Sequence, residues 1–184
     1  MALFRIKFAI NTLKSGGVIA YPTESIFGLG CDPNNPKAVT KLLKLKQRLA
    51  KKGLILIGSK AEHFDQYIQK EFRSLAQKKL KESTQLPTTW VIPADKNVPK
   101  QIIGSHDKIA LRLTSHPIAA MLCSEFGNAI VSTSANINKR AAAKNSLQVN
   151  KYFSNKLDYI FYGQTQQYNI PSQIIDMMTG NIIR

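Results

Sequence analysis

Apolar positions along the chain fall into short buried-looking runs separated by longer amphipathic stretches. Residues 3–15 carry Phe4, Phe8 and isoleucine and leucine positions at helical spacing and end at Gly16-Gly17, which predicts an N-terminal helix with those side chains facing inward. Val18–Tyr21 is an apolar run closed by Pro22 and reads as a buried strand. The polar cluster Thr23-Glu24-Ser25 follows, and Gly28-Leu29-Gly30 gives the backbone freedom for a close approach. Asn34 or Asn35 can cap a helix with Pro36 in its first turn, and a new strand starts after Gly53. Ala61–Leu80 reads as one or two surface helices, with a polar break from Ser83 to Pro87. Strands are predicted at Thr88–Ile92, Ile109–Leu113, Ala129–Val131 and Tyr159–Tyr162. Asp95–Asp107 is loop-rich, helices cover Ile118–Phe126 and Leu147–Phe153, and Ile174–Asp176 with Ile182–Ile183 form a hairpin around Thr179-Gly180-Asn181. Helices alternating with short strands predict a single α/β domain over residues 1–184 with a twisted mixed sheet.

The helix after Asn35 breaks its own pattern. Val39, Leu42 and Leu43 share one face, Lys37, Lys41 and Lys44 the opposite one, and Lys46 falls on the apolar face. Two readings are open: a lysine snorkelling at a helix end, or an ammonium aimed into a pocket. Arg48 would face away from Lys46 if the helix continued. If both serve one ligand, the helix must end near Lys46.

Charge changes the picture more than composition does. The chain has 26 Lys+Arg against 11 Asp+Glu, a formal net charge of +15, and seven basic residues between Lys37 and Lys52 with no acid among them. That balance favours polyanions: nucleotides, nucleic acid or an acidic surface. Two cysteines, Cys31 and Cys123, make no disulfide framework, and the spacings of His63, His106 and His116 make no metal-binding pattern. No apolar run reaches the ~20 residues of a membrane span, and the basic residues Arg5, Lys7 and Lys14 break up any signal peptide, so a soluble cytoplasmic protein without membrane contact is expected.

Three groups carry chemistry. Lys46-Gln47-Arg48, with Lys51 and Lys52 behind it, suits a polyphosphate. Ser132-Thr133-Ser134-Ala135-Asn136 puts small hydroxyls and an amide at a strand end, where they can bond a ligand or simply form a strand-to-loop transition. Arg112 sits inside an apolar strand and must pair with either a protein acid or a ligand carboxylate. Neither a Walker loop nor a dinucleotide-binding glycine fingerprint occurs. No covalent nucleophile is indicated by spacing, which leaves positioning and charge neutralisation to do the catalysis.

Taken in order, Tyr21-Pro-Thr-Glu-Ser-Ile-Phe-Gly-Leu-Gly30, Leu43-Lys-Leu-Lys-Gln-Arg48, Lys51-Lys-Gly-Leu-Ile-Leu-Ile57, Ala110-Leu-Arg-Leu-Thr-Ser-His-Pro117 and Ser132-Thr-Ser-Ala-Asn136 resemble the threonylcarbamoyl-AMP synthase family, of the YrdC/TsaC type. The resemblance runs from about Gly17 to the C-terminus, and its paired signature is Lys46-x-Arg48 with Ser134-x-Asn136. It implies a YrdC-like sheet around a concave, positively charged cavity. It also implies an L-threonylcarbamoyladenylate synthase, a nucleotidyltransferase converting ATP, bicarbonate and L-threonine to threonylcarbamoyl-AMP and pyrophosphate. That product serves threonylcarbamoyladenosine formation next to the tRNA anticodon.

The resemblance implies roles residue by residue. Lys46 and Arg48 are the catalytic, phosphate-holding cations, and Lys52, Thr89, Ser134, Asn136 and Ser172 complete the ATP-binding set. Ser25, Arg112 and Ser134 take the threonine, with Arg112 on its carboxylate. Mg2+ is expected on the ATP phosphates, with no metal held by the protein. The surplus charge, apart from the resemblance, predicts weak binding of tRNA or double-stranded RNA by a basic rim of Lys37, Lys41, Lys44, Lys51, Lys139, Arg140 and Lys144 around the pocket, and the resemblance implies downstream tRNA threonylcarbamoyl-transfer proteins as partners. Two departures stand out: Gln85-Leu86-Pro87-Thr88-Thr89 lacks the family's glycine there, and Ile137–Ala141 is bulkier and more basic than usual. The chain ends at Arg184 and resembles the family's short form. Two alternatives stay open: a non-catalytic RNA-binding module of the same fold, and a carbamoyl-adenylate enzyme with another acceptor.

Overall fold

In the computed structural model, which describes residues 2–82, 84, 86–137, 140–166 and 172–183, one eight-stranded mixed sheet organises the chain. Helix α1 (Ala2–Lys14) leads into β1 (Ile19–Pro22) and β2 (Phe27–Gly30), an antiparallel hairpin. Then come α2 (Pro36–Lys46), β3 (Ile55–Gly58), the 3-10 segments Ala61–Tyr67 and Lys70–Phe72, and α3 (Arg73–Lys81). The chain continues through β4 (Thr88–Pro93), α4 (Lys100–Ile103), β5 (Lys108–Leu113), α5 (Pro117–Phe126) and β6 (Ile130–Ser134). It closes with α6 (Ser146–Phe153), β7 (Tyr159–Ile160) and β8 (Gln173–Asp176). The strand order is β7-β1-β2-β6-β3-β5-β4-β8, with parallel pairs β1/β7, β3/β5 and β4/β8.

Strand alternation splits the core in two. One set, including Val18, Ala20, Leu56, Leu111 and Val131, packs with Val39, Leu42, Phe64 and Ile102. The other, including Ile19, Tyr21, Ile57 and Ile130, packs under α1 and α5 through Ile6, Ala9, Ile10, Leu13, Leu122 and Cys123. The second helical layer covers only part of its face. Ile55, Ala110, Val91, Asp176 and Ser132 are in register on that same face, and all five line an open cavity.

Several expectations change here. Phe4 and Phe8 do not face inward: they are 74% and 50% exposed, because the buried stripe of α1 runs through Ile6, Ala9, Ile10 and Leu13. Gly28-Leu29-Gly30 is strand, and the close approach there is made by neighbouring protein: a Cβ on Gly30 would lie 2.7 Å from the Val131 carbonyl oxygen and 2.8 Å from the Tyr21 ring. Residues 61–67 form a 3-10 segment with Phe64 and Tyr67 buried, so only Arg73–Lys81 is the surface α-helix expected over this stretch. The loop-rich 95–107 stretch contains the short helix α4. The C-terminal hairpin is reduced to a bridge between Ile175 and Ile182, and β8 takes its main partner from β4. Ser83, Gln85, Lys139 and Arg184 lie outside the described residues.

Candidate active site

Helix α2 ends directly at Lys46, so that Lys46 and Arg48 leave it in different directions. Asn35 caps its start by accepting from the Lys37 and Ala38 amides, and Gln47 ends it in the left-handed region at φ 52°. The Gln47 amide donates to Lys44 O and the Arg48 amide to Leu43 O, each at 3.0 Å. The reversal leaves Lys46 on the buried face and brings Arg48 round to the cavity wall. Arg48 is half-buried, and its Nη2 donates to the Gly53 carbonyl at 2.9 Å.

Lys46 is 4% exposed, so the snorkelling reading fails. Its ammonium donates to the Ser134 carbonyl, to the Asn136 carbonyl at 3.1 Å and to Asn136 Oδ1 at 2.8 Å. Ser134 Oγ donates to the same Oδ1 at 2.7 Å, and Asn136 Nδ2 donates to Arg140 O at 2.6 Å. The two halves of the signature therefore meet through direct hydrogen bonds. Burial pushes the Lys46 ammonium down to about 8, with the Arg48 charge acting in the same direction.

Arg112 occupies its place by alternation. In β5, Ile109 and Leu111 turn into the core, while Lys108, Ala110 and Arg112 turn to the cavity. Its partner is Glu24, at the tip of the β1–β2 hairpin that Thr23 closes by bonding Ile26 O through both amide and hydroxyl. Glu24 is 3% exposed. Its Oε1 accepts from Thr114 Oγ1 at 2.6 Å and from the Ser115 amide at 3.0 Å, and its Oε2 lies 3.5 Å from Arg112 Nη2. Burial raises the Glu24 pKa, but the Arg112 charge and these hydrogen bonds outweigh it and hold the carboxyl below its usual range. Among the described residues Arg112 Nε and Glu24 Oε2 have no hydrogen-bond partner.

The cavity encloses about 900 Å³. Of the residues expected in the site, Ser25, Arg48, Lys52, Arg112, Ser134 and Ser172 line it. Lys46, Thr89 and Asn136 do not. Lys46 and Asn136 lie behind Ser134, and the fully buried Thr89 hydroxyl meets Ser172 Oγ at 3.1 Å. Sequence reasoning gave no site role to Glu24, Lys108 or Asp176, which line the cavity with Thr133 of the hydroxyl-rich segment it did single out. Lys108 and Asp176 form a 2.6 Å ion pair in the wall, and alternation from Arg112 was the available signal for Lys108. The basic rim is only partly as expected. Lys144 joins Arg48 and Lys52 at the cavity, whereas Lys37, Lys41 and Lys44 line a separate groove of about 670 Å³ with Tyr152 and Lys156. Lys41 there is paired with Asp158 at 2.6 Å.

A mixed sheet with part of one face left open as a cation-lined cavity defines an α/β fold with room for a small anionic ligand. The chain belongs to the Sua5/YciO/YrdC family, described as telomere recombination, which residues 11–184 match. It is 41% identical over 180 residues to a threonylcarbamoyl-AMP synthase of Cellvibrio japonicus, covering 98% of this chain and 95% of that one. A threonylcarbamoyl-AMP synthase of Psychromonas ingrahamii is 43% identical over 179 residues, covering 96% and 94%. Among solved structures, P. abyssi Sua5 complexed with L-threonine matches with a TM-score of 0.87 at 26% identity, covering 98% of this chain and 54% of that one, so the present chain spans about half of that relative. E. coli YciO, at 22% identity and a TM-score of 0.76 over 100% of this chain and 89% of that one, shares the fold.

Among the described residues no helix is long and apolar enough to cross a membrane, and no group of three His, Cys, Asp or Glu side chains is placed to hold a metal ion.

Proposed function

We infer that this chain is an L-threonylcarbamoyladenylate synthase. The observation that carries the reading is a single cavity with two cationic stations, Arg48/Lys52 and Arg112, in a chain similar over nearly its whole length to proteins of that name. Threonine condenses with bicarbonate to its N-carbamate, releasing water. A carbamate oxygen then forms a bond to the α-phosphorus of ATP, the bond from that phosphorus to the bridging oxygen breaks, and pyrophosphate leaves with the electron pair. Arg48 and Lys52 neutralise the polyphosphate, and Ser134 and Ser172 bond the nucleotide from the facing wall, backed by Asn136 and Thr89. Arg112 holds the threonine carboxylate, with Ser25 beside it. Magnesium is assigned to the phosphates of the incoming ATP, where it would share their charge with Arg48 and Lys52. The product serves threonylcarbamoyladenosine formation in tRNA, and the α2–α6 groove is the surface we assign to weak RNA contact.

The test mixes protein, ATP, magnesium, bicarbonate and threonine. Threonine-dependent pyrophosphate release is expected. Release that ignores threonine but follows another acceptor in an amino-acid panel points to a different carbamoyl-adenylate enzyme. No release from folded protein that still binds RNA leaves the binding-module reading.

A further inference from the structure

The described residues place every acceptor of the Lys46 ammonium at the end of β6 and just beyond it, and Lys46 itself does not line the cavity. We propose that Lys46 is a positioning residue: it clips the Ser134–Asn136 segment into the wall instead of touching phosphate. An ammonium has three N–H groups. Here the Ser134 carbonyl, the Asn136 carbonyl and Asn136 Oδ1 supply three acceptors, and Ser134 Oγ lies 3.5 Å away. No carboxylate takes part. A buried charge balanced only by neutral oxygens holds them in one place, because each oxygen released would leave the ammonium short of a bond in a dry site.

What the clip holds is the strand end facing the ligand. Ser134 is in register with Gly28 of β2, and Ala135 donates to Phe27 O at 2.8 Å. Asn136 Oδ1 also accepts from Ser134 Oγ, so the amide fixes the hydroxyl that lines the cavity. Lys46 reaches the reaction through that wall, and Arg48, two residues on, is the cation of the pair that meets the ligand. Conventional counting would give both cations the same task; burial separates them.

The inference rests on the ATP reading only for its ligand-binding arm. Hydrogen exchange in ligand-free protein tests it alone. In Lys46→Met, amides of peptides covering Ser134–Ile137 should exchange about tenfold faster than in wild type, while Lys46→Arg restores part of the protection. Calorimetry then compares ATP with AMP. Both should weaken by a similar factor, leaving their ratio unchanged. Unchanged exchange together with loss of ATP affinity and intact AMP affinity would overturn the proposal and make Lys46 a direct phosphate contact. If Lys46→Met does not fold, Asn136→Ala removes one clip acceptor while keeping the ammonium. Faster exchange in the same peptides is expected, and unaltered exchange overturns the clip. Wild type that binds no ATP would count against the proposed function and leave the exchange result to judge the clip.

Discussion

Lys46 and Arg112 are both cations set on apolar elements of one cavity wall, and the fold treats them in opposite ways. Among the described residues Lys46 is balanced by carbonyl and amide oxygens alone, and burial pushes its ammonium down to about 8. Arg112 faces a buried carboxylate at 3.5 Å, close enough for charge but long for a hydrogen bond, and its Nε has no hydrogen-bond partner among the described residues. Three neutral oxygens satisfy the three N–H groups of a compact ammonium. A guanidinium stays charged and requires an anion, either Glu24 or an arriving carboxylate. The comparison separates a cation that builds the wall from one that is stationed for a ligand.

The strongest way to break the comparison is at Glu24. Removing it strands Arg112 in a half-apolar wall, so Glu24→Ala should lower unfolding free energy by ~3–5 kcal/mol in a denaturant titration. Adding Arg112→Met to Glu24→Ala should recover most of that loss without recovering threonine use. A single variant as stable as wild type would show that the pair carries no buried-charge cost. Next in size, Arg112→Ala should raise the threonine requirement by the equivalent of ~2–5 kcal/mol in folded protein while ATP binding by calorimetry stays near wild type. Threonine dependence that does not move would make Arg112 a structural partner of Glu24 alone.

Lys46 sharpens the other side through pH. Its ammonium titrates near 8 in the fold and near 10.5 in the unfolded chain. Below pH 8 both states hold the proton and the burial cost is fully present. Between about 8 and 10.5 only the unfolded chain binds it, so stability rises with pH, by up to ~3 kcal/mol relative to Lys46→Met. A stability difference between the two proteins that stays flat from pH 7 to 10.5 would contradict a buried, desolvated ammonium. The smallest effects belong to the outer face of α2. Lys44→Ala should leave turnover nearly unchanged, and Lys41→Ala should cost no more than ~1 kcal/mol through its exposed pair with Asp158. Changing Lys37, Lys41 and Lys44 together to Glu should flatten the salt dependence of RNA binding, measured as a log–log slope of roughly −0.7 to −0.9 per lost phosphate contact. A slope that does not change would remove the groove from any RNA surface.

Local patterning was enough to mark β1, α2, β3, β4, β5 and β6 around the site, because each repeats a period that burial enforces, but it did not mark β2 or the short α4. It also marked Lys46 as misplaced on an apolar face and Arg112 as a charge in need of a partner. The requirement that α2 stop near Lys46 was legible too, and the left-handed Gln47 meets it. Other facts needed the folded chain. Glu24 and Arg112 are 88 positions apart, and so are Lys46 and Ser134; no local period connects them. Phe4 and Phe8 fit an apolar stripe on paper, but α5 meets α1 along Ile6, Ala9, Ile10 and Leu13 instead. Which cation meets the cavity and which lies behind its wall is set by tertiary contact, because desolvation depends on every element packed around a charge, and the sequence presents only its neighbours along the chain.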